Sequence, residues 1–327
     1  MVKVAILDDY AGGALTLADW SAVKGLAEIQ VFDRHLSDTE IVETLQSFDV
    51  ICTLRERTCL PKAVLDHLPA LKVIVVTDDH VRTIDYKAAA ARGIQILEAR
   101  APDNLPSAPN STAEFVWGLI LATVRHIPSE AARLRQGKWQ HTLGEPLAGK
   151  TLGLVGLGKI GSRISHFARA FDMQVVAWSQ NLTAEAAERA GARRVEKDAL
   201  FREADVVSIH YVLSDRSRGL VGAPELAAMK PTAYLINTSR GPIVDESALV
   251  SVLRAKKIAG AGLDVFDEEP LPENHPFTQL ENVTATPHLG FVTRPAMRRF
   301  YAGTALAVAA YANGGPLPLL STASLTR

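Results

Sequence analysis

A short apolar run, Leu152–Val155, passes without a break into Gly156-Leu157-Gly158-Lys159-Ile160-Gly161, and a helical pattern from Ser162 to Phe171 follows at once. Few arrangements tolerate that order of strand, glycine turn and helix. Glycines at these three positions permit a tight turn, close approach of backbone to a pyrophosphate, and close packing of helix on strand. The start of the helix adds unpaired N–H groups and the positive end of its dipole. A lone glycine motif is also met as a flexible turn. Here the strand before it and the helix after it favour a dinucleotide-binding βαβ unit.

The rest of the chain repeats the same alternation. Six apolar runs follow Lys150: Leu152–Val155, Gln174–Trp178, Val206–Ile209, Ala233–Asn237, Ala259–Val265 and Val283–Ala285. Six is the strand number of a complete doubly wound dinucleotide fold. Five more precede residue 100: Val2–Leu7, Glu28–Phe32, Val50–Thr53, Lys72–Thr77 and Ile94–Leu97. Short runs separated by amphipathic segments predict parallel βα units in both halves. Between the series lies a loop rich in Pro and Ala, Arg100 to Asn110, after which Ser111-Thr112-Ala113-Glu114 reads as a capping box opening a long helix. The alanine-rich tail from Pro295 to Ala312 reads as a helix that stops at Asn313-Gly314. With 327 residues, two domains are expected.

Charge and cysteine content narrow the function. Thirty-five Lys and Arg against 36 Asp and Glu leave no basic surplus, so neither nucleic acid nor an anionic membrane is an expected partner. Cys52 and Cys59 are too few for a disulfide scaffold and lack metal-ligand spacing, so no metal is expected and a cytoplasmic location fits. The segment from Met1 to Leu7 runs into Asp8-Asp9 and lacks the apolar region of a signal peptide. The uncharged stretch Phe115 to Val124 falls well short of the roughly 20 residues that span a bilayer.

In an open α/β sheet, ligands bind beyond the carboxyl ends of the strands. There the second series carries Asn237-Thr238-Ser239-Arg240-Gly241, then Asp264 with Asp267-Glu268-Glu269-Pro270, then Thr286-Pro287-His288-Leu289-Gly290. An arginine, a carboxylate and a histidine on one rim form the kit for reducing a 2-oxo acid. A guanidinium forks onto carboxylate and carbonyl oxygens. A histidine gives the carbonyl oxygen its proton, and a carboxylate bonded to it favours its charged form and fixes its orientation. Taken singly, Arg240 also reads as a turn arginine in an ion pair, Glu269 as a solvated acid, and His288 as a strand cap. Their convergence favours chemistry.

The cofactor type is left open between NAD and NADP. An Asp or Glu about 20 residues after the glycine motif usually bonds the ribose 2′-hydroxyl of NAD. Ser179, 18 residues past Gly161, takes that place, and no arginine follows immediately. The missing carboxylate tilts the reading toward NADP; an NAD enzyme without the acidic contact is the alternative.

With GLGKIGSR, INTSRGPIVDESAL, GAGLDVFDEEPLP and TPHLGF in this order, and with STAEFVWGLILA and LKVI…IDYKAAAARGI in the first half, the chain resembles the D-isomer-specific 2-hydroxyacid dehydrogenase family. The resemblance implies catalytic roles for Arg240, Glu269 and His288. It implies cofactor contacts at Gly156, Gly158, Lys159, Ile160, Gly161, Ser179, Thr238 and Asp264, and in the segment of His210 and Val212. It further implies two doubly wound parallel-sheet domains. A Rossmann-type dinucleotide-binding domain, residues 104–292, would be inserted into a flavodoxin-like substrate domain, residues 1–103 and 293–327. A homodimer, a small 2-oxo or 2-hydroxy acid substrate and hinge closure also follow from the resemblance.

Two departures from the family pattern bear on substrate choice. Asp78-Asp79-His80-Val81-Arg82 stands where a glycine-containing turn would hold the substrate carboxylate, so two acids either face the anion or point to solvent. Phe291 stands where a small residue is frequent, and a ring there would line the nicotinamide side of the cleft. Arg55, after the third run, is a candidate second contact to the substrate carboxylate, or else a surface arginine. Asp8-Asp9-Tyr10 reads as structural. Two alternative functions remain at this point: a dinucleotide-sensing binding protein, and a family enzyme that takes hydride from formate or phosphite.

Overall fold

A computed structural model of the chain describes residues 1–77, 81–107 and 109–320. The chain divides into two compact units, Met1–Ala108 with Thr293–Arg327, and Pro109–Val292. Each is built on its own parallel sheet.

In the first unit, five strands form one sheet: β1 (Val2–Ile6), β2 (Ala27–Val31), β3 (Val50–Thr53), β4 (Val73–Val76) and β5 (Gln95–Glu98). Their order is β2-β1-β3-β4-β5, all parallel, which is the flavodoxin-like order. The two central strands β3 and β4 are fully buried, which is why they read as largely apolar runs with no alternation. One face packs Ala5, Ile51, Ile74 and Val76 against Ile41, Leu45, Val64 and Leu68. The long helix Arg294–Ala312 packs against β4 and β5 with Tyr301, Ala305 and Val308 buried.

The second unit carries seven parallel strands: β6 (Thr151–Val155), β7 (Gln174–Trp178), β8 (Arg193–Arg194), β9 (Val206–Ile209), β10 (Tyr234–Asn237), β11 (Gly260–Leu263) and β12 (Val283–Ala285). Their order is β12-β11-β10-β9-β6-β7-β8, the doubly wound arrangement in which the order of strand addition reverses between β6 and β9. Residues alternate between the two faces: Leu152 and Leu154 pack toward Leu119, Ile120 and Ile164, while Val155 packs toward Phe201, Leu226 and Leu249.

All eleven expected strands form. Strand β8 was not expected, because two consecutive arginines carry no apolar signal; its pairing with β7 creates it. The expected capping box is also corrected. Ser111 is the first helical residue, the cap position falls on Asn110, and the Asn110 amide oxygen accepts from Arg163 Nε at 3.2 Å instead of capping the helix. A reciprocal box forms at Ser37 and Glu40. Among the described residues, no helix is long and apolar enough to cross a membrane.

Candidate active site

Doubly wound sheets bind ligands beyond the carboxyl ends of the strands where the strand order reverses, and the glycine motif follows β6 at that point. Gly156 holds φ +97°, and a Cβ on it would lie 2.2 Å from the His210 carbonyl oxygen. A Cβ on Gly161 would lie 2.3 Å from the Gly156 carbonyl oxygen. Both are therefore glycines for reasons internal to the fold. Gly158 differs, since a Cβ there would meet nothing within 4 Å. It is also the cap of the helix Lys159–Ala170, with no side chain capping that end and no acid in its first turn. Uncapped N–H groups, an unopposed dipole and open space above Gly158 fit a pyrophosphate. At the end of β9, burial holds His210 neutral, with its pKa pushed down to about 4, and its Nε2 lies 2.9 Å from Ser208 Oγ. Val212 is 71% exposed, an apolar side chain that the protein itself leaves uncovered.

The second group of polar residues sits at the ends of β10, β11 and β12, and local bonds lock each piece to the next. After β10, buried Asn237 donates from Nδ2 to the Arg240 carbonyl at 2.9 Å and accepts from the Ser239 N–H at 3.1 Å. Thr238 lies half-buried within this turn. Arg240 in turn donates to the Ser239 carbonyl at 2.6 Å. Gly241 presses against the next loop, where a Cβ would stand 2.0 Å from the Phe266 carbonyl carbon. That loop carries Glu269, whose Oε1 accepts from the Phe266 N–H at 2.9 Å.

Glu269 Oε2 lies 2.6 Å from His288 Nδ1. Burial pushes the Glu269 carboxyl up, but the bond and charge of His288, the Phe266 N–H and the Arg240 guanidinium outweigh it and hold it below the usual range. Phe291 stands edge-on to the imidazole, with centroids 5.5 Å apart and planes at 83°. His288 itself takes φ +51°, a left-handed conformation that costs energy outside glycine. Asp264 sustains it. Fully buried, its carboxylate accepts from Thr286 Oγ1 at 2.7 Å and from the Leu289 and Gly290 N–H groups at 2.7 and 2.9 Å. Burial outweighs these bonds and pushes the Asp264 carboxyl above the usual range.

The family model for the NAD-binding domain of D-isomer specific 2-hydroxyacid dehydrogenases matches residues 117–290. Glyoxylate reductase of Aeropyrum pernix is 39% identical over 265 residues, 78% of each chain. The chain belongs to the D-isomer specific 2-hydroxyacid dehydrogenase family. D-3-phosphoglycerate dehydrogenase of Methanocaldococcus jannaschii is 35% identical over 310 residues, which are 94% of this chain but 56% of that protein. The crystal structure of phosphoglycerate oxidoreductase from Vibrio cholerae superposes with a TM-score of 0.87 at 36% identity, covering 96% of this chain and all of that one. This chain is thus an enzyme, a 2-hydroxyacid dehydrogenase, with a dinucleotide-binding domain in its second unit.

Within this dehydrogenase, Arg240, Glu269 and His288 come together in the second unit. Ser179 follows β7 directly. Lys159 and Ile160 open the helix after Gly158. Arg55 belongs to the first unit. It holds φ +55°, its N–H donates to Thr77 Oγ1 at 2.8 Å, and its guanidinium lies 5.9 Å from the Phe300 ring centroid. Asp78, Asp79 and His80 lie outside the described residues. The buried Asp9 carboxylate is consumed by the Gly13 and Ala14 N–H groups and the Tyr301 hydroxyl, in keeping with a structural part. Sequence reasoning missed Asn237, Gly241 and Thr286. Their positions at strand ends were visible, but Gly241 and Thr286 matter through contacts to residues 266 and 264, more than 20 positions away, and Asn237 through a local turn that no periodicity signals.

Proposed function

We propose that this dehydrogenase interconverts a short 2-oxo acid and its D-2-hydroxy acid, with Arg240 as substrate anchor, His288 as acid/base and Glu269 as the group that tunes His288. The single observation that carries the assignment is the 2.6 Å bond from His288 Nδ1 to Glu269. It keeps a proton on Nδ1, so Nε2 is the atom that exchanges a proton with the substrate oxygen. In the reductive direction the carbonyl carbon gains a hydride, its π pair moves to oxygen, and oxygen takes the Nε2 proton. Until that transfer, the Glu269 carboxylate orients the ring and stabilises the charge of the imidazolium that holds the proton. Arg240 pairs with the substrate carboxylate and polarises the carbonyl. A bound nicotinamide supplies or takes up the hydride.

Gly156, Gly158, Gly161 and the N–H groups of Lys159 and Ile160 would hold the pyrophosphate; Ser179 would meet the adenosine ribose. Thr238, Asp264, His210 and Val212 would border the nicotinamide half. The uncharged Ser179 tilts the preference to NADP(H). Arg55 is proposed as a second contact to the substrate carboxylate, and Phe291 as a wall that favours substrates with an apolar or compact tail. A homodimer is proposed on the helix Ile127–Arg135 and the segment after it, since Ile127, Leu134, Trp139 and Leu143 are all more than half exposed.

The test is an initial-rate screen of glyoxylate, hydroxypyruvate, pyruvate and bulkier 2-oxo acids with NADPH and NADH, with formate and phosphite tried as donors in the reverse sense. Turnover of at least one 2-oxo acid is expected. Turnover confined to formate or phosphite, or none with any substrate, would overturn the assignment.

A further inference from the structure

The strand after the glycine motif ends at Trp178, and the next residues, Ser179, Gln180, Asn181 and Leu182, carry no charge. A 2′-phosphorylated ribose placed there would find no repulsive carboxylate and no cation in the adjacent sequence. The fold supplies a cation by another route. Strand β8 pairs in parallel with β7, setting Arg193 opposite Val176 and Arg194 opposite Ala177. Arg194, 15 residues beyond Ser179, is thereby brought to the carboxyl end of β7.

Its side chain is aimed at the same turn. Arg194 Nε donates to the Leu182 carbonyl at 2.9 Å, and the Leu182 N–H donates to the Ser179 carbonyl at 3.1 Å. The guanidinium is thus fixed on the four-residue turn that Ser179 opens. Neighbouring Arg193 is engaged elsewhere, with Glu203 at 2.5 Å. What competes for Arg194 is Glu196, 3.0 Å from Nη1, in a pair 39% and 74% exposed. Pairs so exposed contribute little, and a phosphate dianion outcompetes one carboxylate for a guanidinium fork. Beneath the turn, Trp178 is buried, with Tyr211 near-parallel to it at 6.1 Å and Lys197 Nζ 5.9 Å from its ring centroid, so the turn rests on a packed base.

We propose that Arg194 receives the 2′-phosphate of NADP(H) and is the residue that sets cofactor preference. This rests on the reading of the second unit as an NADP(H) site, and the experiment separates failure of the one from failure of the other. Calorimetric titration with adenosine 2′,5′-bisphosphate and with 5′-AMP reads the 2′-phosphate contribution alone, without turnover. Wild type should bind the bisphosphate about tenfold or more tightly than 5′-AMP. Arg194→Ala should weaken bisphosphate binding about ten- to a hundredfold, leaving 5′-AMP unchanged. Glu196→Gln should tighten the bisphosphate, and Arg193→Ala should leave the ratio as in wild type. A wild type that favours the bisphosphate while Arg194→Ala retains that preference would overturn the role of Arg194. Equal binding of both ligands by wild type would overturn the NADP(H) reading beneath it. Far-ultraviolet circular dichroism and thermal melts of each variant confirm that the proteins compared are folded.

Discussion

Substituting Gly241 by alanine tests whether the loop that carries Glu269 is positioned by backbone contact. The added Cβ would stand 2.0 Å from the Phe266 carbonyl carbon, 2.2 Å from its oxygen and 2.5 Å from the Asp267 nitrogen. Carbon atoms in contact prefer about 3.5 Å or more, so the segments must part by roughly 1 to 1.5 Å. Neither can yield freely. The Asn237 amide holds the Arg240 carbonyl at 2.9 Å, and the Phe266 N–H holds Glu269 Oε1 at the same distance. If a shift of about 1 Å passes to Glu269, its bond to His288 stretches past hydrogen-bonding range. A misplacement of that size costs about a hundredfold in rate. Overpacking of this kind costs about 1–3 kcal/mol of stability, which lowers the melting temperature by several degrees. Thr238 and Asp264 lie two or three residues from the displaced segments, so NADPH affinity should weaken together with kcat. Steady-state kcat, fluorescence titration with NADPH and a thermal melt together read all three. A kcat within about threefold of wild type would refute the claim that the Arg240 and Glu269 segments are rigidly coupled.

Two further outcomes follow from the same geometry. Glu269→Gln should lower kcat about ten- to a hundredfold. Because Glu269 is held below its ordinary 4.5, its charge is present at neutral pH and lost only as pH falls through that lowered value. A Glu269→Gln kcat at pH 7 within about threefold of wild type would contradict that role. His210 is held neutral down to about pH 4 against an ordinary 6.5, so the unfolded chain binds the extra proton first and stability drops as pH falls between those values. His210→Gln should remove roughly 1–3 kcal/mol of that loss, read as a flatter melting temperature from pH 7 to 4.

How legible was this molecule in its sequence? The central strands were plain, because burial on both faces makes β4 a continuous apolar run and leaves β3 and β9 with one small polar residue each. The edge strand β8 was invisible, since Arg193 and Arg194 owe their strand to pairing with β7 alone. Arg240, Glu269 and His288 were singled out as candidates from residue chemistry at strand ends. The parts that aim them were not, because Asp264 reaches over to Leu289 and Gly290, and Gly241 is forced by residues 266 and 267. Such contacts depend on which loops the sheet order brings together, and strand order is not written in hydrophobic periodicity. Ser111 shows the opposite error: a local signature was present, but Asn110 starts the helix and turns its side chain to Arg163.

The claim that His288 is the acid/base of a 2-oxo acid reductase is tested most directly by the turnover of His288→Ala beside its NADPH dissociation constant, measured with the best substrate of the screen. The kcat should fall at least about a hundredfold below wild type, with a dissociation constant that is essentially unchanged. Turnover at the wild-type rate in that variant would contradict the claim.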